Sequence, residues 1–137
     1  MKICSACLLG IKCRYDGRGK PNKKVIDSSQ EDILIPVCPE QLGGLLTPRE
    51  SAERIGKKIF TKSGKDVTRS FRKGAERALK IAQIFNIREA ILKQGSPSCG
   101  CGMIYDGSFS RKLIKGDGIM TELFRNNGIK IISEENL

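Results

Sequence analysis

The sequence contains no histidine and no tryptophan, and only two tyrosines and five phenylalanines among its 137 residues. The absence of histidine removes the commonest general base and the commonest transition-metal ligand. The scarcity of aromatic side chains disfavours a protein that binds single-stranded nucleic acid by stacking its bases. Any metal site must therefore be held mainly by cysteine thiolates, with carboxylates as the other ligand type.

Long hydrophobic runs are also missing, since no apolar stretch approaches the roughly 20 residues that a membrane-spanning helix requires. A length of 137 residues fits a single domain, and we expect one domain over residues 1–137. Lys and Arg number 25 against 15 Asp and Glu, which gives a net charge of +10. We expect a soluble basic protein outside the membrane, and contact with RNA through phosphates alone is a further prediction.

Six cysteines are present, and the first of them, Cys4, comes too early for a secretory signal with an apolar core. We therefore expect a cytoplasmic protein. In a reducing compartment this enrichment indicates metal binding or thiol chemistry rather than disulfides. A chain of this length does not need cross-links to fold, although buried thiols acting as small hydrophobic groups are an alternative.

Apolar patterning predicts strands that alternate with helices. Apolar residues recur at spacings of three and four from Asp66 to Phe85, which predicts a long helix with Asp66 as its N-cap. A second helix is predicted over 117–127, and a small hairpin would pair 58–61 with Val67. Strands are predicted near the N-terminus and at 32–37, 90–92 and 129–132. The alternation favours an α/β fold, a small Rossmann-like three-layer sandwich with a mostly parallel sheet of about four strands.

Three cysteines, Cys7, Cys38 and Cys99, each follow the C-terminal end of a predicted strand. In open α/β sheets this edge is where ligands bind. Cysteines that only filled the core would scatter along strands and helix faces instead. The positions therefore predict a ligand site that brings these three thiols together.

Two kinds of metal site fit the cysteine spacing. An iron-sulfur cluster accepts isolated ligands from separate loops, and with three thiolates one iron stays open. Zinc is the alternative, because a structural site uses four ligands, which Cys4, Cys7, Cys99 and Cys101 supply. On a strand, however, Cys4 would face the opposite side of the sheet from Cys7. A thiol-disulfide or redox-sensing protein using the same four cysteines is a third hypothesis.

Polar residues near these cysteines are candidates for catalysis and binding. Glu40 lies two residues beyond Cys38 across a stiff proline and is the best acid-base candidate, the alternative being an ordinary surface carboxylate. The glycine-rich turn with Ser96, Ser98 and Gly100 offers hydroxyls and free backbone N–H groups to a polar or anionic ligand. The segment 14–17 has two equally weighted interpretations, an Asx-type turn or a ligand contact.

These motifs together resemble the domain of unknown function 523 family, whose characterised members are 2-thiouracil desulfurases. The resemblance covers nearly the whole chain in order. It is carried by Ser5-Ala6-Cys7-Leu8-Leu9-Gly10, Arg14-Tyr15-Asp16-Gly17, Pro36-Val37-Cys38-Pro39-Glu40, Gly43-Gly44-Leu45, Pro48-Arg49, Ser96-Pro97-Ser98-Cys99-Gly100, Tyr105-Asp106-Gly107-Ser108-Phe109, Gly116-Asp117-Gly118 and Gly128-Ile129.

The resemblance implies a [4Fe-4S] cluster held by only three cysteines, which match Cys7, Cys38 and Cys99. It implies a non-redox enzyme that removes sulfur from a thiolated pyrimidine such as 2-thiouracil, the open iron binding the substrate sulfur. By motif position it implies Glu40 as the catalytic acid, with Ser96 assisting. Substrate contacts are expected at Arg14, Tyr15, Asp16, Ser98 and Gly100.

Cys4, Cys13 and Cys101 are additional to the shared motifs. The resemblance assigns them no role. A zinc or iron-sulfur binding module without catalysis, associated with RNA through the net charge, is therefore the alternative function.

Overall fold

Short strands and four α-helices make up the computed structural model, which describes all residues from Met1 to Leu137. The strands are β1 Lys2–Ser5, β2 Leu34–Val37, β3 Ala52–Ile55, β4 Lys58–Thr61, β5 Glu89–Leu92, β6 Cys101–Tyr105, β7 Leu113–Asp117 and β8 Lys130–Ser133. The helices are α1 Lys23–Ser28, α2 Pro39–Leu42, α3 Thr68–Ile84 and α4 Ile119–Asn126, with 3-10 turns at Ala6–Leu9 and Glu134–Asn136. None of the helices has the length and apolar character needed to span a membrane.

The central sheet has four strands in the order β2-β1-β5-β8, and every neighbouring pair is parallel. This confirms the predicted mostly parallel sheet. The strand order changes direction at β1, because β2 lies on one side of it and β5 on the other. Ligand sites of open α/β sheets form at such a switch point, beyond the carboxyl ends of the strands.

Helices cover both faces of this sheet. Alternate strand residues point to opposite faces. Ile3 and Leu92 pack in one apolar cluster with residues of α3 and α4 such as Phe124. Cys4 and Ile91 pack in a second cluster that contains Val25 of α1. The result is the predicted three-layer sandwich.

The two long helices follow the apolar periodicity of the sequence. In α3 the buried face includes Phe71, Ala75, Ala78 and Ala82, which recur at spacings of three and four. The prediction that Asp66 is the N-cap is wrong, because Val67 holds that position without a side-chain cap. The Asp66 carboxylate lies one residue earlier and accepts a hydrogen bond of 2.9 Å from the backbone N–H of Thr68, the first helical residue. Helix α4 lies inside the predicted 117–127 range.

Two antiparallel hairpins project from the sandwich. The predicted hairpin over 58–67 is only partly correct, because the main partner of β4 is β3 and the returning chain adds one bridge between Phe60 and Asp66. Strands β6 and β7 form a second hairpin that the sequence did not predict. Paired glycines, Gly102 and Gly116, interrupt the alternation of side chains on which a strand prediction depends.

Candidate functional site

A cavity of about 370 Å³ opens at the carboxyl edge of the sheet. It is lined by residues that directly follow β1, β2 and β5 and by residues of the two hairpins. The ends of β1 and β5 are tied together because the Lys93 backbone N–H donates to the Ser5 hydroxyl at 3.0 Å. The cavity therefore lies at the switch point of the strand order.

The three cysteines that the strand ends singled out all line this cavity. Cys7 lies in the 3-10 turn that follows β1, and Cys38 is the extended residue between β2 and α2. Cys99 lies seven residues beyond β5, in a turn where its backbone N–H donates to the Ser96 hydroxyl at 3.1 Å. The structure thus brings together three thiols from distant parts of the sequence.

The remaining cysteines divide into one at the cavity and two away from it. Cys13 lines the cavity, and its carbonyl oxygen lies 3.7 Å from the Cys38 sulfur. Cys4 and Cys101 are buried in separate apolar clusters and do not line it. The expectation that Cys4 and Cys7 face opposite sides of the sheet is wrong, because Cys7 lies in a turn after the strand and joins the cluster of Cys4.

Metal-ligating side chains do not converge on a single point in this structure. No group of three or more Cys, Asp or Glu side chains is close enough to hold one metal ion. A tetrahedral zinc site needs four ligands around one ion. The zinc arrangement of Cys4, Cys7, Cys99 and Cys101 therefore has no geometric support.

The thiols at the cavity differ in acidity. The neighbouring Cys13 side chain lowers the pKa of Cys38 against the opposing effect of burial, and the backbone N–H of Gln41 acts in the same direction. Burial raises the pKa of Cys7 to about 11 and also raises the pKa of Cys99. Cys38 is therefore the thiol that most readily takes the thiolate form, which is the form that ligates metals.

Glu40 is held at the cavity from two sides. It is the second residue of the short helix α2, which begins at Pro39, where proline is tolerated because the first helical residue has no N–H partner to lose. Its Oε1 accepts from Arg49 Nε at 3.0 Å, and its Oε2 accepts from the Ser98 hydroxyl at 3.0 Å. The same Arg49 guanidinium donates to the Cys13 carbonyl at 3.0 Å. The carboxylate and the cysteine loops are thus parts of one hydrogen-bonded assembly.

Of the other predicted site residues, some reach the cavity and some do not. Arg14, Tyr15 and Ser98 line it. Asp16 does not, because its carboxylate accepts from the Arg18 backbone N–H at 3.0 Å and so closes an Asx-type turn. Gly100 also lies outside the lining. A Cβ there would approach the Ser96 carbonyl oxygen to 2.6 Å, so this glycine is required for the turn that presents Cys99.

Further lining residues were not singled out by the sequence reasoning. They are mainly contributed by the hairpins and by the loop after β5, and include Arg49, Glu53, Lys62, Lys93, Tyr105, Phe109 and Arg111. Together with Arg14 they give the lining five basic side chains against two carboxylates. Such an excess of positive charge stabilises thiolates and other anions. Arg49, Tyr105 and Phe109 carried a signal, because they belong to the motifs Pro48-Arg49 and Tyr105-Asp106-Gly107-Ser108-Phe109 of the family resemblance.

Fold and site together define an α/β protein with a thiol-rich cavity and an ordered carboxylate at the sheet edge. The chain belongs to the 2-thiouracil desulfurase family, whose match spans residues 3–136. It is 43% identical over 147 residues to the uncharacterized protein YbbK of Bacillus subtilis (strain 168), covering 100% of this chain and 97% of that one. A solved structure of the [4Fe-4S]-dependent thiouracil desulfidase TudS (DUF523Vcz) is 46% identical, with a TM-score of 0.94, covering 99% of this chain and 91% of that chain.

Proposed function

We propose that the protein is an iron-sulfur-dependent, non-redox desulfurase that removes sulfur from a thiolated pyrimidine such as 2-thiouracil. The observation that carries this proposal is that Cys7, Cys38 and Cys99, from three separate strand ends, line the same cavity as Glu40. The family and the likeness to the thiouracil desulfidase TudS support it.

The donor set fits a [4Fe-4S] cluster better than a single ion. Thiolates are the usual ligands of such clusters, and a cluster has several irons, so its ligands do not need to converge on one point. Cys7, Cys38 and Cys99 would hold it, and no histidine competes. When bound through three thiolates, the cluster supplies a soft Lewis-acidic iron with affinity for sulfur.

Each neighbouring side chain has a defined task in this proposal. Arg14 and Tyr15 border the cavity where the pyrimidine would lie, and Ser96 and Ser98 present hydroxyl groups to it. Glu40 takes a proton from the attacking water at its Oε2 and returns it to the leaving sulfur. Because Arg49 occupies Oε1, the carboxylate keeps one oxygen directed at the serine turn.

The overall reaction is a hydrolysis that needs no oxidant or reductant. A C–O bond forms between a water oxygen and the ring carbon, and the C–S bond breaks. The sulfur departs as hydrogen sulfide and carries both protons of the water. The products are the oxo-pyrimidine and sulfide, with no change in oxidation state.

Three further predictions belong to this proposal. Residues 1–137 act as one domain, which is supported by the fact that the sheet and both hairpins line one cavity. The protein works in the cytoplasm, because a reducing compartment keeps cysteine ligands available to a cluster. Binding to RNA, expected only from the net charge of +10, stays a prediction.

The test begins with anaerobic loading of the protein with iron and sulfide. We expect about four irons and four sulfides per chain and release of sulfide from 2-thiouracil. Cys7→Ser, Cys38→Ser and Cys99→Ser should each lose iron, whereas Cys101→Ser is the matched control that keeps it. Stoichiometric zinc without sulfide, lost equally in Cys4→Ser and Cys101→Ser, would show that the binding-module alternative is correct.

Glu40→Gln tests the carboxylate separately from the cluster. The amide preserves the shape of the side chain but cannot take up a proton, so turnover should fall by at least about 100-fold with iron content unchanged. Glu50→Gln is the control, because Glu50 directly follows Arg49 in the sequence but lies outside the cavity lining. Full activity in Glu40→Gln would exclude the assigned role.

A further inference from the structure

The two serines of the cysteine turn form a chain of hydroxyl groups that ends at Glu40. The Ser96 and Ser98 hydroxyl oxygens are 2.9 Å apart, and Ser98 Oγ lies 3.0 Å from Glu40 Oε2. Ser96 is half-buried at the cavity, whereas Ser98 is only 2% exposed. This chain of hydroxyl groups therefore runs from Ser96 at the cavity to the Glu40 carboxylate through the Ser98 hydroxyl, which has almost no contact with bulk water.

Backbone geometry fixes the direction in which these hydroxyl groups donate. Ser96 Oγ accepts from the backbone N–H groups of Ser98 and Cys99, both at 3.1 Å. A hydroxyl has two acceptor positions and one hydrogen, so the Ser96 hydrogen is left to point at Ser98 Oγ. Ser98 then has its own single hydrogen to give to Glu40. The polarity from Ser96 through Ser98 to Glu40 follows from this count.

Competing contacts leave this arrangement intact. The Cys99 sulfur lies 3.8 Å from Ser98 Oγ, which is longer than the 3.0 Å to Glu40, so the carboxylate is the preferred acceptor. On the far side, Arg49 Nε occupies Glu40 Oε1 at 3.0 Å. The Arg49 and Glu40 side chains are only 10% and 16% exposed. Oε2 is therefore the oxygen of Glu40 that the Ser98 hydroxyl holds, and Oε1 is the one held by Arg49.

We propose that Ser98 is a positioning residue that holds Glu40 Oε2 in place for proton transfer at the cavity, an inference that rests on the proposed hydrolysis. A water at the cavity loses a proton to Glu40 Oε2, at the acceptor position that the Ser98 hydroxyl leaves free. The remaining hydroxide forms the C–O bond to the ring carbon. As the C–S bond breaks, hydrogen sulfide leaves with the proton returned from Glu40 and the proton of the new hydroxyl group.

The test compares Ser98→Ala, which removes the hydroxyl, with Ser98→Thr, which keeps it. In iron-loaded protein we expect Ser98→Ala to lower kcat on 2-thiouracil roughly 100-fold with little change in KM. Ser98→Thr should stay within a few-fold of the wild type. Because Ser96 reaches Glu40 only through the Ser98 hydroxyl, Ser96→Ala combined with Ser98→Ala should be no slower than the slower single variant. Ser29→Ala, on the exposed end of α1, is the matched control with unchanged activity.

Infrared spectroscopy gives a readout that does not depend on turnover. The difference spectrum between wild type and Glu40→Gln identifies the Glu40 carboxylate band, which should shift in Ser98→Ala and not in Ser29→Ala. Loss of iron in Ser98→Ala, multiplicative effects in the double variant, or equal slowing by Ser98→Thr and Ser98→Ala would overturn the positioning role. An iron-loaded wild type that releases no sulfide would instead overturn the proposed function, and the infrared band would still report the Ser98 to Glu40 hydrogen bond.

Discussion

Glu40 shows how much a single side chain in this protein depends on residues distant in sequence. Its neighbour Pro39 limits the backbone, but the direction of the carboxylate comes from Arg49 and Ser98. Arg49 also donates to the Thr47 hydroxyl and to the Cys13 carbonyl, both at 3.0 Å. Because the guanidinium donates in a planar fan, it joins three chain segments that an ammonium group could not join at once.

Arg49→Lys is therefore expected to impair turnover although it keeps the positive charge. Loss of the fan of donors should lower turnover about 10-fold, with the cluster retained. Arg49→Gln removes the partner of a largely buried carboxylate and should lower the free energy of unfolding by roughly 1–3 kcal/mol. Urea unfolding and steady-state kinetics measure the two effects. Arg18→Lys, outside the cavity lining, is the control, and equal behaviour of the two lysine variants would contradict the assignment.

At the scale of elements, helices α2 and α3 touch backbone to backbone. A Cβ on Gly74 of α3 would collide with the carbonyl oxygen of Pro39, and a Cβ on Gly43 would collide with the carbonyl of Ser70. Because these glycines have no side chain, α2 can lie directly against the long helix α3, and Glu40 is placed with it. The position of the carboxylate therefore depends on helix packing as well as on hydrogen bonds.

Gly74→Ala tests this contact. Alanine favours an isolated helix by about 1 kcal/mol over glycine, yet here the overpacking against backbone should outweigh that gain and leave a net loss of roughly 1–3 kcal/mol. Displacement of α2 should also lower turnover. Lys80→Ala, on the exposed face of α3, should change stability by less than about 0.5 kcal/mol. A more stable Gly74→Ala protein would refute the packing argument.

The loop between β6 and β7 forms part of the cavity wall and is anchored by a buried carboxylate. Glu53 of β3 accepts from the backbone N–H groups of Gly107 at 2.9 Å and Phe109 at 3.1 Å. Phe109 and Arg111 have positive φ values of 58° and 63°, which non-glycine residues rarely adopt without support from their surroundings. The anchor therefore holds a strained loop against the site.

Glu53→Ala should release that loop, because two backbone N–H groups lose their acceptor. We expect faster amide hydrogen exchange over residues 106–112 and a higher KM for 2-thiouracil, with iron content unchanged. Glu53→Gln keeps an acceptor oxygen and should behave like the wild type. Glu50→Ala is the control, since its carboxylate binds the Ser63 turn instead. Unchanged exchange in Glu53→Ala would contradict the anchoring role.

On the scale of the whole molecule, the three proposed ligands are far apart in sequence and meet only when the parallel sheet has formed. Cys7 and Cys99 follow strands that pair directly, and Cys38 follows the strand on the other side of β1. Because this ligand set does not exist in the unfolded chain, a cluster bound to it stabilises the folded state.

Removal of the cluster by a chelator should therefore lower the Tm of the wild type by at least about 5 °C, since a tightly bound group contributes several kcal/mol. Differential scanning calorimetry under anaerobic conditions measures the shift. Cys7→Ser provides the control, because a variant that cannot load should give the same Tm before and after reconstitution. Equal Tm values for loaded and stripped wild type would show that the cluster does not bind the folded state in preference to the unfolded chain.

The sequence by itself determined the alternation of strands and helices, the apolar face of the long helix and the placement of Cys7, Cys38 and Cys99 beyond strands. These features depend on local periodicity and on short motifs, which neighbouring residues specify directly. The β6–β7 hairpin lacked that signal because glycines and charged residues interrupt its alternation.

Only the tertiary structure decided which polar groups meet. It joined Glu40 to Ser98 across 58 positions, brought Cys13 and Arg49 into the cavity, and left Asp16 and Gly100 in turns outside it. Hydrogen bonds and close backbone contacts between such distant residues depend on strand order and helix packing. No local pattern records them, because each partner is an ordinary residue until the fold places the other one beside it.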